Sequence, residues 1–217
     1  MISEASAEFV CAMEEVLDVY ERPYDPDAPV VCLDESPYQL ISETRPGFID
    51  SQGVKHVDYE YKREGVAEIY MVAEPKAGKR FIELADSHDS HHWARVVAQI
   101  AEKLYGEAER ITLVQDNLSA HRKAALYEVF DAGRARSILR RIEFVYTPRH
   151  GSWLNMAEIE LSVLKRVALK QRMESRAKLQ KQIRAYLREK NSVPKAVNWQ
   201  FKTKNARIKL KKLYPKP

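Results

Sequence analysis

The sequence predicts an α/β layered domain built on a mixed sheet flanked by helices. Three observations carry this: apolar, β-branched runs at 66–74 and 79–85 flank the turn PKAG as a hairpin; helical and strand-like segments alternate afterwards; and two apolar runs, PVVCLDES and ITLVQD, each deliver an aspartate. With 217 residues, 45% of them hydrophobic, the chain can bury one substantial core without a second domain.

Residues 3–20 place Phe9, Met13, Val16, Leu17 and Tyr20 at helical spacing, with Ser3 as the expected cap, and Pro23, Pro26 and Pro29 end the pattern. The run 29–36 reads as a short buried strand with Asp34 at its C-terminal end, and 55–62 as a third member of the hairpin group. A helix is expected from Ser90 to Tyr105, stopping at Gly106. ITLVQD (111–116) is near-continuously apolar, the mark of a strand covered on both faces. A helix over Ala120–Ala132, a strand over 143–147, helical spacing from Leu154 to Met173 and a polar, basic helix over 175–190 complete the reading. From Val193 periodicity fades, so the tail is expected to be partly flexible. The expected organisation is an acidic linker helix (1–27), a catalytic domain (28–173) and a basic C-terminal helix and tail (174–217).

The net charge of +5 hides an asymmetry: ten acids and one base occupy the first 35 residues, whereas Lys165 onward holds eighteen bases and two acids. A basic end interleaved with Tyr186, Trp199 and Tyr214 points to a polyanion partner, above all nucleic acid. No apolar run reaches the roughly 18 residues that span a bilayer. A soluble, cytoplasmic, nucleoid-associated protein is expected. Cys11 and Cys32 lack the spacing of a metal site or disulfide framework and read as small apolar packing residues.

If the strands ending in Asp34 and Asp116 are parallel neighbours, their carboxylates meet at one sheet edge and repel unless a hard divalent cation lies between them. A third carboxylate from the helix after YTPRHGSW would complete the set. Glu158 and Glu160 flank that helix's apolar face on opposite sides; Glu158 shares a polar stripe with Asn155, Ser162 and Lys165, which favours it.

CLDES, VQDNLSAH and YTPRHGSWLNMAEIE resemble, motif by motif and in order, the catalytic domain of insertion sequence 630 family transposases, relatives of the mariner-like transposases. The resemblance covers about residues 5–170. It implies an RNase H-like fold and a catalytic triad of Asp34, Asp116 and Glu158 that binds two Mg²⁺ ions, with Mn²⁺ as a substitute. It further implies metal-dependent cleavage and strand transfer of double-stranded DNA by a homodimer. The 41 residues between Asp116 and Glu158 point to an extended intervening loop. Asn117 and His121 match the family's D-N-x-x-x-H pattern: either they hold a metal-bound water or a phosphate, or Asn117 caps a helix with His121 in its first turn. Arg149 and His150 either contact the scissile phosphate or shape the turn, and Trp153 reads as a packing anchor for the helix entrance in preference to a base-stacking platform. Asn155 and Lys165 are further candidates for DNA or supporting contacts.

The family's N-terminal helix-turn-helix reader has no counterpart among these motifs, which leads to the expectation of a catalytic fragment, inactive alone without a reader, or half of a split reading frame. Two rivals stand beside the transposase: an inert DNA-binding remnant and an RNase H-like nuclease. SHDSHHW (87–93) lacks paired zinc-ligand spacing, and Asp89 and Ser90 account for it as a helix start.

Overall fold

Cα trace and side chains come from a computed structural model that describes residues 5–45, 47–56 and 59–216. Its main sheet has the order β5-β4-β1-β6-β7, made of β1 (Val30–Glu43), β4 (Tyr61–Glu74), β5 (Lys79–Ala85), β6 (Ile111–Gln115) and β7 (Ile142–Tyr146). β4 runs antiparallel to β1 and β5, and β6 runs parallel to β1 and β7. The mixed sheet and flanking helices form the RNase H-like fold that the sequence led us to expect.

Alternation along β1 sorts the two layers. Cys32 belongs to the core under α1 (Ala7–Glu21), α5 (Met156–Val167) and α6 (Arg176–Ser192), while Val31 and Leu33 face α2 (Ser90–Gln99), α3 (Ala125–Val129) and α4 (Ala132–Arg141). Leu179, Ile183 and Tyr186 of α6 lie in the first core, so the C-terminal segment is packed into the same body as the sheet.

Several elements differ from the sequence reading. α1 is capped by Ser6, whose Oγ accepts from the Phe9 amide at 3.2 Å; Ser3 lies outside the described residues. β1 is not short: it continues past Asp34 to Glu43. Pro37 is tolerated because β6 pairs with β1 only over Val30–Cys32, leaving that side of the ladder open. The register with β4 shifts between Leu40 and Ile41, where Gly65 takes φ 113°, a conformation that only glycine adopts without strain. The strand expected over 55–62 lies partly outside the described residues; within them, Lys55–His56 (β3) pairs with Phe48–Ile49 (β2) in a separate ribbon, and β4 starts at Tyr61. α2 passes into a π-helical turn, Ile100–Leu104, and Arg141 donates to the carbonyl of Ala101 within it and to those of Tyr105, Gly106 and Ala108 beyond it. The expected helix 120–132 is replaced by a loop, α3 and the start of α4.

The tail is docked. α7 (Thr203–Lys209) follows 193–202, and Arg207 forms a bidentate pair with Glu14, both bonds 2.8 Å, with Tyr214 Oη donating to the same carboxylate at 2.7 Å. Thr203 Oγ1 donates to Asp18 at 2.9 Å. The acidic start and basic end of the chain thus partly neutralise each other. Tyr186 is buried, Trp199 packs on Tyr20 with ring centres 5.1 Å apart and Tyr214 serves Glu14, so these aromatics are packing groups and not stacking platforms for bases. Cys32 is buried, and burial raises its thiol to about 12; Cys11 is exposed on α1, not packed. Among the described residues no helix is long and apolar enough to cross a membrane.

Candidate active site

β1 and β6 pair in parallel through Cys32 and Val114, so Asp34 and Asp116 stand at equivalent heights, each two residues beyond that pair. Both have the parity that faces the α5 layer. The α5 layer supplies Glu158 in the first turn of its helix. Desolvation by burial, followed by the charges of Glu35 and Asp116 and, more weakly, Glu158, raises the Asp34 carboxyl to about 7. One Asp34 oxygen accepts from the Glu35 amide at 2.9 Å. Glu158 Oε2 is buried without a hydrogen-bond partner.

The start of α5 is locked to β1. Asn155 is fully buried; its Oδ1 accepts from the Ala157 amide at 3.0 Å and its Nδ2 donates to the Leu33 carbonyl at 2.9 Å. Asn155 is therefore a helix cap and strand tether, not a DNA contact. Glu160 is engaged elsewhere, receiving Arg80 Nε and a terminal nitrogen at 2.6 and 2.7 Å. Glu160 is thus occupied by Arg80, whereas the charge of Glu158 acts on Asp34.

A second carboxylate underlies the pair. Glu35 points to the opposite side of β1 from Asp34, and its Oε2 is 3.3 Å from His121 Nε2, while His121 Nδ1 lies 2.7 Å from Asp116 Oδ1. His121 is buried and stacks on Trp93, whose indole donates to Gln115 at 2.9 Å. Burial opposes charge on His121, but the hydrogen bonds and charges of Asp116 and Glu35 outweigh it and raise its pKa to about 10. The two ring nitrogens of His121 thus lie between two carboxylates, in a loop and not in a helix. Sequence reasoning missed Glu35; the acidic doublet Asp34-Glu35 was its signal, since neighbours on a strand serve opposite faces.

Asp116, Asn117, Arg149 and His150 line one cavity of about 420 Å³. Asn117 is exposed and caps no helix. His150 takes φ 65°, and a Cβ on Gly151 would come within 2.6 Å of Pro148 Cγ, so the turn that presents Arg149 and His150 requires glycine. Lys165 donates to Ser36 Oγ, two residues beyond Asp34. Trp153 is 40% exposed and meets the Phe201 ring edge-on at 5.8 Å. His88 faces Glu68, His91 faces Glu128 and His92 stacks on Tyr70, three separate neighbours.

Among the described residues no three His, Cys, Asp or Glu side chains converge as a ready-made metal site. The donor chemistry nevertheless fits a hard divalent cation: three carboxylates with mutually unfavourable charge, one of them holding an unpartnered buried oxygen.

Comparisons with known proteins bear on the fold and the family. No curated protein matches the sequence. Among solved structures, the Mos1 transposase paired-end complex with the left transposon end superimposes with a TM-score of 0.56 at 13% identity, covering 86% of this chain and 56% of that one. The Mos1 strand transfer complex gives 0.54 at 14% identity, covering 89% and 61%. The catalytic domain of Mos1 mariner transposase gives 0.51 at 13%, covering 88% and 91%. The chain therefore spans little more than half of the Mos1 chains in the DNA complexes and nearly all of the isolated catalytic domain, with which it shares a fold. A family model described as DDE superfamily endonuclease matches residues 29–180, a stretch that takes in every strand of the main sheet and all three carboxylates. By that match the chain belongs to the DDE superfamily endonucleases.

Proposed function

We propose that this chain is the catalytic portion of a mariner-like DNA transposase, cleaving DNA strands and joining the freed ends to a target in metal-dependent steps. The reading is supported by the adjacent parallel strands that carry Asp34 and Asp116 to equivalent heights, and by Glu158 in the first turn of α5, whose charge acts on Asp34. These three carboxylates would hold two Mg²⁺ ions, with Mn²⁺ as a substitute. When bound, such a pair supplies Lewis-acid activation of the attacking hydroxyl and neutralises charge on the leaving oxygen.

The protein's own contribution is positioning. His121 and Glu35 brace Asp116 from beneath, and Asn155 fixes the start of α5 against β1. Arg149, exposed at the rim of the cavity that Asp116 lines, supplies a cation for a DNA phosphate, and Asn117 and His150 flank it. The same carboxylates serve water in the cleavage step and a DNA 3′-hydroxyl in the joining step. Functionally, residues 28–173 form the catalytic unit, with 1–27 a linker helix and 174–217 a basic appendage that packs on the same core. The partner is double-stranded DNA, both transposon ends and target, engaged by a homodimer in the cytoplasm at the nucleoid.

The test is a Mg²⁺- or Mn²⁺-dependent cleavage and joining assay on labelled DNA. Wild-type products that vanish in Asp34→Ala, Asp116→Ala and Glu158→Ala alike support the reading. Activity retained in any of the three contradicts the assignment. Cut products without joined ones would favour a nuclease.

A further inference from the structure

We propose that the outward face of α6 is a docking surface for a DNA phosphodiester backbone, separate from the carboxylate site. The inference rests on DNA being the partner, as proposed above, and concerns where else the duplex is held.

Leu179, Ile183 and Tyr186 bury one side of α6. On the opposite side Lys181, Arg184 and Arg188 recur at i, i+3 and i+7, so they share one stripe, and all three are exposed. None of them makes a hydrogen bond or ion pair among the described residues. Other bases of the C-terminal segment are engaged: Arg207 with Glu14, Lys202 with Glu21, Arg176 with Asp86 and Lys178 with Glu174. Ala177, Gln180 and Ala185 complete the outward face without charge, and the helix's one acid, Glu189, lies about 100° round from Arg188.

The dimensions suit a nucleic-acid strand. At roughly 1.5 Å per residue, Lys181 and Arg188 stand about 10 Å apart along the helix, close to three steps of a duplex strand at about 3.4 Å each. Unpaired guanidinium groups are also the side chains best matched to phosphate oxygens. α6 packs on β5, an edge strand, and β4 separates β5 from β1. A backbone held there is therefore not the reacting phosphate but a neighbouring stretch, and its contacts add to affinity and register without reading sequence.

The experiment measures affinity of the full chain for a labelled duplex of arbitrary sequence across a salt series, for wild type and for Lys181→Gln/Arg184→Gln/Arg188→Gln. A control, Arg95→Gln/Arg136→Gln/Arg140→Gln, removes the same charge from exposed residues of α2 and α4 on the other face of the sheet. The slope of log affinity against log salt should shrink by about 0.9 for each phosphate that is no longer neutralised, up to about 2.7 in the α6 variant, and stay near wild type in the control. Thermal melts of both variants verify folding. A slope that survives the α6 substitutions, as expected if this face meets an acidic protein instead, overturns the docking surface. An equal fall in the control also overturns it, because the effect would then be one of net charge. Wild type that binds no DNA overturns this inference and the DNA-directed function together.

Discussion

Asn155 Nδ2 donates a 2.9 Å hydrogen bond to the carbonyl of Leu33, the residue just before Asp34. Through the same side chain, which also caps α5, the helix that carries Glu158 is fixed to the strand that carries Asp34. Asn155→Ala removes both bonds and leaves a buried carbonyl and amide unpaired, which should destabilise the fold by about 2 to 4 kcal/mol. Urea denaturation measures this.

Glu160 and Glu158 should separate cleanly on mutation. Arg80 and Glu160 form a largely buried pair, and removing Arg80 alone strands a buried carboxylate, at a cost of about 3 to 5 kcal/mol. Replacing both partners by apolar residues should recover most of that loss. Glu160→Gln should lower stability yet retain DNA cleavage by the folded fraction, whereas Glu158→Gln should fold and not cleave. Cleavage by Glu158→Gln at the wild-type rate would exchange the roles.

Asp34 and His121 should both make the fold less stable as pH rises, in different windows. Between the ordinary carboxyl value of 3.8 and about 7, folded Asp34 keeps a proton that the unfolded chain has released, so stability falls across that range. His121 gains its partners when charged; its contribution is complete below its ordinary value of 6.5 and is lost as pH rises through about 10. In denaturation series at graded pH, Asp34→Asn should flatten the lower window and His121→Gln the upper. Added Mg²⁺ should flatten the lower window in wild type alone.

Removing the Glu14 carboxylate should free the tail. Glu14→Ala deletes the acceptor shared by Arg207 and Tyr214, and proteolytic cleavage within 203–216 should accelerate. Unchanged cleavage kinetics would mean that the apolar packing of Trp199, Phe201 and Leu213 holds the tail unaided.

What can be read from the residues follows from the range of the forces involved. Apolar periodicity places β6 and α6 within a few residues but carries α5 on to Met173, six residues past its end at Val167, and the aspartates after VVCL and ITLVQ are visible because a strand covered on both faces leaves few polar positions. β1 reads too short in the sequence because Pro37 signals a break locally, and its tolerance depends on how far β6 extends. The stretch 120–124 reads as helix because its composition permits one; the contacts of His121 with Asp116 and Glu35 are tertiary and win. The docked tail is not legible because α7 has seven residues, too few for a clear period, and its partners lie about 190 residues away on α1. The polar stripe and the motif resemblance favour Glu158 over Glu160 in the sequence, whereas the Arg80 ion pair that occupies Glu160 comes from β5 and is not visible locally.

The most direct test of one metal-dependent carboxylate site is a crystal structure of the protein soaked with Mn²⁺, read by anomalous scattering. The account predicts anomalous peaks within direct coordination distance of the Asp34, Asp116 and Glu158 carboxylates, lost in crystals of Glu158→Gln or Asp116→Asn. Anomalous peaks confined to other parts of the molecule, or peaks that persist in both variants, would contradict it.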